Sequence, residues 1–331
     1  LLVSEINQAI ELINNLSPSA QPLGNSDIML NGDMNMWLKF ANTVKLKLLM
    51  RESTRAESNG ESQTYLTQQF ATLSNEFIGL NENVTINPGY SNVNNRQNLF
   101  YSVYGFTPAN TPTNSRESVV ATKYAVEFLN GTVNGVYDNR LERLYELTPN
   151  NNYFGVEQGA LLATLPPGQQ LSKLGPGLII NATVDDYIFT AAESLFLQAE
   201  AVQRGYIAGD AKQLFQDGIR ASYNTLGATD IETYLLNSNG ADGIGWDGTP
   251  NKIRAIMTQK WIALNGINGI ESWIEFNRTG FPELPLPVTT TQTSRPKRLL
   301  YPQSELSGNS ANVPIQTLQS AFNTSIFWDV N

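Results

Sequence analysis

The chain has 331 residues, a net charge of −9 from 21 Lys and Arg against 30 Asp and Glu, and neither Cys nor His. The two missing residue types exclude imidazole bases, Ser-His-Asp and Cys-His nucleophiles, disulfides and iron–sulfur clusters, and they remove the usual ligands of zinc. An acidic chain without a basic stripe argues against nucleic acid, and no stretch of about 18 apolar residues is present to span a membrane.

In chain order, Leu2, Ile6, Ala9, Ile10 and Ile13 recur at helical spacing, so the chain opens inside an amphipathic helix. It has no basic start, apolar run or initiator Met, so it does not open on a signal peptide. The expectation is a mature fragment with upstream residues missing. Turn residues fill 17–33, and Asp33 is placed to cap a helix over Met34 to Arg55. Its apolar face is read as Trp37, Phe40, Ala41, Val44, Leu48 and Arg51. Lys39, Lys45, Lys47 and Arg55 fall on the other sides, their stems covering apolar surface.

Gln63 to Asn75 repeats the helical pattern with Leu66, Phe70 and Leu73. Residues 81–115 lose all periodicity and interleave Asn, Pro, Gly and Ser with Tyr90, Phe100, Tyr101, Tyr104 and Phe106. A loop of that length is functional or disordered. Val119 to Leu129 reads as helix, and residues 148–182 form a second irregular stretch holding Tyr153 and Phe154.

Asp186-Tyr187-Ile188-Phe189 is read as leading into a helix through Arg204, with Asp185-Asp186 favoured at its start by the helix dipole. Gly205 to Gly209 breaks it, and Asp210 caps a second helix through Asn224. Together they make a helical hairpin over about 186–224, similar to one tetratricopeptide-type repeat. Residues 237–248 form a Gly-rich polar loop around Trp246. Thr249 is then read as a cap and Pro250 as the first residue of a helix to about Leu264. A short helix from Ile270 to Arg278, a Pro-rich loop over 282–302 and a helix from Ile315 to Phe322 complete the chain. The class is mainly α: tetratricopeptide-like helix pairs with long irregular loops and little β.

Several segments, in order, resemble one family. Gly32-Asp33 with Trp37-Leu38-Lys39-Phe40-Ala41-Asn42 and Lys45-Leu46-Lys47-Leu48 is similar to the "GD…W.KFAN.LKL…R" helix of SusD/RagB-type proteins. Asp138-Asn139-Arg140-Leu141 resembles their "DPRL" turn, with Asn139 where Pro is commoner. Ala192-Glu193-Ser194-Leu195-Phe196-Leu197-Gln198-Ala199-Glu200-Ala201 resembles their "AE..FL.AEA" helix, and the C-terminal signatures lie around Gln259-Lys260-Trp261, Glu271 to Pro282 and Arg298 to Glu305.

The resemblance implies a single α-helical SusD-like domain over 1–331, lacking a further N-terminal helical region. It implies a surface nutrient-binding lipoprotein of Bacteroidetes-type outer membranes that acts as a lid on a SusC-like TonB-dependent transporter and passes it glycans or, in some members, peptides. Membrane association would come through a lipidated Cys upstream of this chain. The alternatives are a peptide-binding member of the same family and an α-helical glycoside hydrolase. The hydrolase reading lacks a carboxylate pair away from helix surfaces. Glu193 and Glu200 share a helix face about 10 Å apart, and like Trp261, Trp273, Glu275 and Arg278 they are read as packing and pairing residues. No catalytic residue and no cofactor is assigned.

Ligand contacts are therefore sought in loops, where aromatic planes can take the C–H face of a sugar ring and amides its hydroxyls. Trp246 leads, followed by Tyr90, Tyr101 and Tyr104 with Asn94, Asn95 and Arg96 as hydroxyl partners, then Tyr153 and Phe154. Asp242 and Asp247 could offer oxygens to Ca²⁺, but their spacing is not that of an EF-hand, so no metal site is assigned.

Overall fold

The computed structural model describes residues 1–330. Its first half carries α1 (Leu2–Asn14), α2 (Met34–Arg51), α3 (Ser53–Ala56), α4 (Gly60–Phe70), the short strand β1 (Val84–Ile86), α5 (Leu99–Tyr104), α6 (Asn114–Ser118), α7 (Lys123–Leu129) and α8 (Leu141–Leu144). The second half carries β2 (Asp186–Phe189), α9 (Ala191–Gln203), α10 (Ala211–Leu226), α11 (Ile231–Ser238), α12 (Lys252–Leu264), α13 (Gly269–Thr279), α14 (Gln303–Gly308) and α15 (Ser320–Asn323). The fold is mainly helical, as the patterning predicts.

The predicted hairpin is its centre. Asp210 caps α10 by accepting from the Gln213 amide, and Gly227 closes it in the left-handed conformation at φ 68°. α9 is buried along most of its length, packing most extensively on α10 and also on α12 and α2. The α9–α10 crossing is set by Gly218: a Cβ there would meet the Phe196 ring at 2.8 Å. Gly218→Val is expected to cost about 1–3 kcal/mol by overpacking, read as a shift in the urea unfolding midpoint at unchanged slope.

Several expectations are corrected. α2 is capped by Asp33, which accepts from the amides of Asn35 and Met36, but its most buried positions are Asn42, Thr43, Lys45, Leu46, Leu49 and Met50. The predicted Trp37–Arg51 face is only partly buried. The reason is that α2 is covered on several sides, and its polar residues serve a neighbouring loop: Asn42 Nδ2 donates to the Glu76 carbonyl at 3.2 Å, and Thr43 Oγ1 accepts from the Ile78 amide at 3.0 Å. Lys45 does not lie on a solvated side; it is buried, with its ammonium 3.3 Å from Thr72 Oγ1.

Asp186–Phe189 is strand, not the start of a helix. It pairs antiparallel with β1, with Thr85 opposite Tyr187 and Ile86 opposite Asp186, and Thr190 caps α9. Asp185 and Asp186 therefore serve the loop at 85–98 rather than a helix dipole. Asn251 caps α12, leaving Pro250 outside the helix. Thr249 instead staples the preceding loop, accepting from the Gly243 amide at 2.9 Å and donating to the Gly245 carbonyl at 2.6 Å. Of the predicted helix over 315–322, only the short α15 at its end forms.

Two buried charge clusters tie the helices together. In the larger, Arg278 is fully buried and forks onto Glu200 through two bonds of 2.7 Å. Its Nε also donates to Glu275 at 2.8 Å, and Nη1 to Ser53 Oγ at 2.8 Å. Glu275 takes Lys260 at 2.8 Å and Arg51 at 2.9 Å as well. Arg51 reaches Glu271 at 2.6 Å, Lys47 bridges Glu193 and Glu271, and Arg204 braces Glu200. In the second cluster the buried Arg140 binds Asp138 at 2.6 Å, Gln259 at 2.8 Å and Ser222 at 3.1 Å, beside the neighbouring rings of Tyr223 and Tyr234. The family-like motifs are thus the ion-pair scaffold, as their helical spacing predicts.

Candidate functional site

The sequence candidates sit in three places. The tyrosine-rich loop folds against 182–186. Asn98 caps α5 through the Tyr101 amide at 2.8 Å, and its Nδ2 donates to the Val184 carbonyl at 3.0 Å and the Asp186 carboxylate at 2.7 Å. The Tyr90 hydroxyl also donates to Asp186; burial and that bond push it up to about 12, so it stays protonated. Asn94, Asn95 and Arg96 form an exposed turn, with Asn95 left-handed at φ 61°. Tyr101 and Tyr104, half-buried on α5, lie against Phe106 and Phe100 respectively, at ring centroid distances of 6.2 and 4.9 Å.

Trp246 lies elsewhere, half-buried on Phe215 of α10 with centroids 5.3 Å apart, and the Lys252 ammonium stands 5.6 Å over its ring. Tyr153 packs on the apolar cluster built around α7 and α8, and Phe154 beside it is exposed. The Ca²⁺ idea fails on local chemistry: Asp242 is held by Arg254 at 2.8 Å, and Asp247 by Lys212 at 2.7 Å and by Asn239 at 2.8 Å.

The structure adds a cleft of about 450 Å³ that the sequence reading missed. Its aromatic wall is Tyr124 of α7 and Trp261 of α12, with centroids 6.1 Å apart, and Trp261 is steadied by an edge-on contact with Phe128 at 5.2 Å. At its base Asn265 Nδ2 donates to the Tyr145 hydroxyl at 2.9 Å. The opposite wall is the apolar run Leu284, Pro285, Leu286 and Val288, taken from the Pro-rich loop.

That wall is anchored by two hydrogen bonds, from the Val288 amide to the Gln158 carbonyl at 2.9 Å and from Thr289 Oγ1 to the Gly159 carbonyl at 2.6 Å. Gly159 at φ 82° permits the approach, since a Cβ there would stand 2.7 Å from Pro287. The polar lining is uncommitted. Among the described residues, no hydrogen bond or ion pair uses the side chains of Lys123, Glu127, Glu157 and Gln158, the Tyr124 hydroxyl or the Trp261 indole N–H. Burial raises the Tyr124 hydroxyl above its usual range, so it remains a donor.

Leu174 and Asn265 line this cleft, and their neighbours Gly177, Leu178, Ile180, Gly266 and Ile267 line a smaller one of about 120 Å³, which reaches Asn98 and Phe100 of the tyrosine-rich loop. The sequence signal for the larger cleft was the apolar Leu284–Val288 run in a Pro-rich loop, where no helix or strand explains it.

Stacked helix pairs, with a cleft walled by two helices and a loop and lined by aromatic and free polar groups, define a helical binding scaffold. The chain belongs to the SusD-like_2 family, described as starch-binding and associating with the outer membrane, whose pattern it matches over residues 1–302. It is similar in structure to a chitin-binding SusD homologue from Flavobacterium johnsoniae, with 21% identity and a TM-score of 0.76 over 99% of this chain and 71% of that one. It is also similar to a SusD homologue from Bacteroides uniformis, with 23% identity and a TM-score of 0.77 over 99% and 72% of the two chains. A chitin-binding protein at 24% identity gives a TM-score of 0.70 over 100% and 72%. No curated protein matches the chain by sequence. Among the described residues no helix is long and apolar enough to cross a membrane.

Proposed function

We propose that the chain binds an oligosaccharide without cleaving it, at the outer face of the outer membrane, and passes it to a SusC-like TonB-dependent transporter. The membrane link would be a lipid anchor upstream of this chain. The observation that carries the reading is the Tyr124–Trp261 wall, faced by polar side chains that nothing among the described residues engages. Ring C–H faces would lie on the aromatic planes while hydroxyls meet Gln158, Glu127, Glu157 and the Trp261 N–H. Two similar structures described as chitin-binding, and the family's description, support a glycan as the ligand.

The surface of Tyr90, Asn94, Asn95, Arg96, Tyr101 and Tyr104 would extend the site for a longer chain. Trp246 and Tyr153 stay as secondary candidates with rings already packed. Glu127 and Glu157 line the same cleft, but no partner among the described residues orients either side chain, whereas a general acid and base must be held in place.

Isothermal titration with chito- and malto-oligosaccharides tests this. Tyr124→Ala is expected to weaken binding about threefold to tenfold, the range of one aromatic contact, while Tyr101→Ala has a smaller effect. The reverse order would move the site to the tyrosine-rich surface. Tight binding of peptides with no oligosaccharide signal would favour the peptide alternative. Release of reducing ends, abolished by Glu127→Gln or Glu157→Gln, would make the protein a hydrolase.

A further inference from the structure

Arg295 stands where two concavities meet. It lines the cleft just described and a second one of about 380 Å³ on the far side of Leu284 and Leu286. A guanidinium has five N–H donors. Here Nη2 donates to the Pro285 carbonyl at 2.6 Å, while the buried Nε has no hydrogen-bond partner and Nη1 engages none among the described residues. The group is held over the Phe276 ring at 5.8 Å, so its position is fixed by packing and not by a counter-ion.

Arg51, Arg116, Arg140, Arg204 and Arg278 each pair with Asp or Glu at 2.9 Å or less, and the half-buried Arg143, without an ion pair among the described residues, gives its Nε to the Leu226 carbonyl at 2.9 Å. Arg295 has no ion pair among the described residues, and its buried Nε is left without an acceptor. Burial lowers its pKa, and no ion pair among the described residues offsets the cost. A partly buried cation left without a counter-charge is unfavourable, and it becomes favourable once a ligand supplies the anion.

We infer that Arg295 selects a glycan carrying an anionic substituent, a carboxylate or a sulfate, placed at the junction of the two concavities. This rests on the oligosaccharide reading above and narrows it. The planar fork of Arg suits the two oxygens of such a group. Lys123 lines the same cleft, is exposed and has no ion-pair partner among the described residues, so a second positive group faces the ligand. Glu127 and Glu157 on the cleft, and Glu283 and Asp329 on the second concavity, would repel an anion placed near them, which confines the favourable position to the guanidinium itself at the junction. A glycan is favoured over a peptide C-terminus because the cleft offers aromatic ring faces and side-chain donors.

The test uses the intact chain and paired probes: hyaluronan and galacturonan oligosaccharides as free acids and as carboxyl-methyl esters, a chondroitin sulfate oligosaccharide, and neutral chito-oligosaccharides. The free acid or the sulfate is expected to bind about tenfold to hundredfold more tightly than the ester or neutral chain, as one charge-assisted contact supplies. That preference should fall with added salt. Arg295→Gln should abolish the preference, read as the ratio of acid to ester affinity within that variant. Arg295→Lys, which keeps the charge and the fold, should retain only part of it.

Equal affinity for acid and ester in the unaltered protein overturns the inference while leaving the oligosaccharide reading intact. So does a preference that survives Arg295→Gln. Binding of a peptide with a free C-terminus but not of its amide, with no oligosaccharide bound, overturns both. A carboxylate preference without a sulfate preference, or the converse, upholds the inference and names the group.

Discussion

Glu275→Gln should destabilise this protein by about 3–5 kcal/mol, the cost of uncovering a buried charge by removing its partner. The substitution preserves shape and one acceptor, so the loss reports on charge. Glu275 is 3% exposed and receives Arg51, Lys260 and Arg278 together. Without its charge, three cations from α2, α12 and α13 face one another in the interior. Arg278 would keep the Glu200 fork and Arg51 would keep Glu271, but Lys260 would be left with Glu271 at 3.5 Å. Since a whole domain is stable by only about 5–15 kcal/mol, a large unfolded fraction at 37 °C is expected. Urea unfolding followed by tryptophan fluorescence measures it. A loss below about 1 kcal/mol would mean that the interior is wet enough to screen the three cations.

How much of this was legible in the sequence depends on where each partner lies. The α9–α10 hairpin was legible because its signals are local: apolar spacing within each helix, the Gly205–Gly209 break and the Asp210 cap. The scaffold role of Glu200, Glu275 and Arg278 followed from their helical positions. The buried face of α2 was not, because a helix covered on several sides has no single apolar stripe to read.

Asp186–Phe189 looked like a helix entry because its strand partner, Val84–Ile86, lies about 100 residues away and is only three residues long. Thr249 was read as a cap from its place before Pro250, whereas its hydroxyl serves the loop behind it. The cleft was illegible for a related reason. Its lining comes from widely separated segments, among them those around residues 124, 158, 261 and 286, and Trp261 carries a helical spacing that accounts for it as packing. Packing against Phe128 and facing a cleft are compatible for one indole, which a period alone cannot express. Arg295 carries no sequence signal at all, since an unpaired arginine is visible only when the positions of all the carboxylates are known.

The same ion network sets the second large effect, on the acid side. Burial by itself would raise the carboxyls of Glu200, Glu271 and Glu275, but the cations around them prevail. Arg278 and Arg204 lower Glu200, Lys260 and Arg51 lower Glu271, and Arg278, Lys260 and Arg51 hold Glu275 well below the usual range. A carboxyl whose folded pKa lies below its unfolded value binds fewer protons in the native state. Its contribution is therefore complete above the unfolded value, about 4.3 for Glu, and is lost as pH falls from there through the folded value.

Lys260 is shifted the other way, raised by Glu275 and Glu271 against its burial, so its contribution persists below the ordinary lysine range and does not offset the acid loss. The unfolding free energy should be nearly flat from pH 7 to about 5 and then fall by up to about 4 kcal/mol per pH unit, roughly 1.4 for each of the three carboxyls. Urea titrations at pH 7, 5, 4 and 3.5 measure the slope. Glu275→Gln should start lower and fall less steeply by about one proton's worth, because one of the three titrating groups is gone. A stability that stays level between pH 5 and 3.5 would show that the native carboxyls are not depressed, and the cations of α2, α12 and α13 would then be held by something other than their charge.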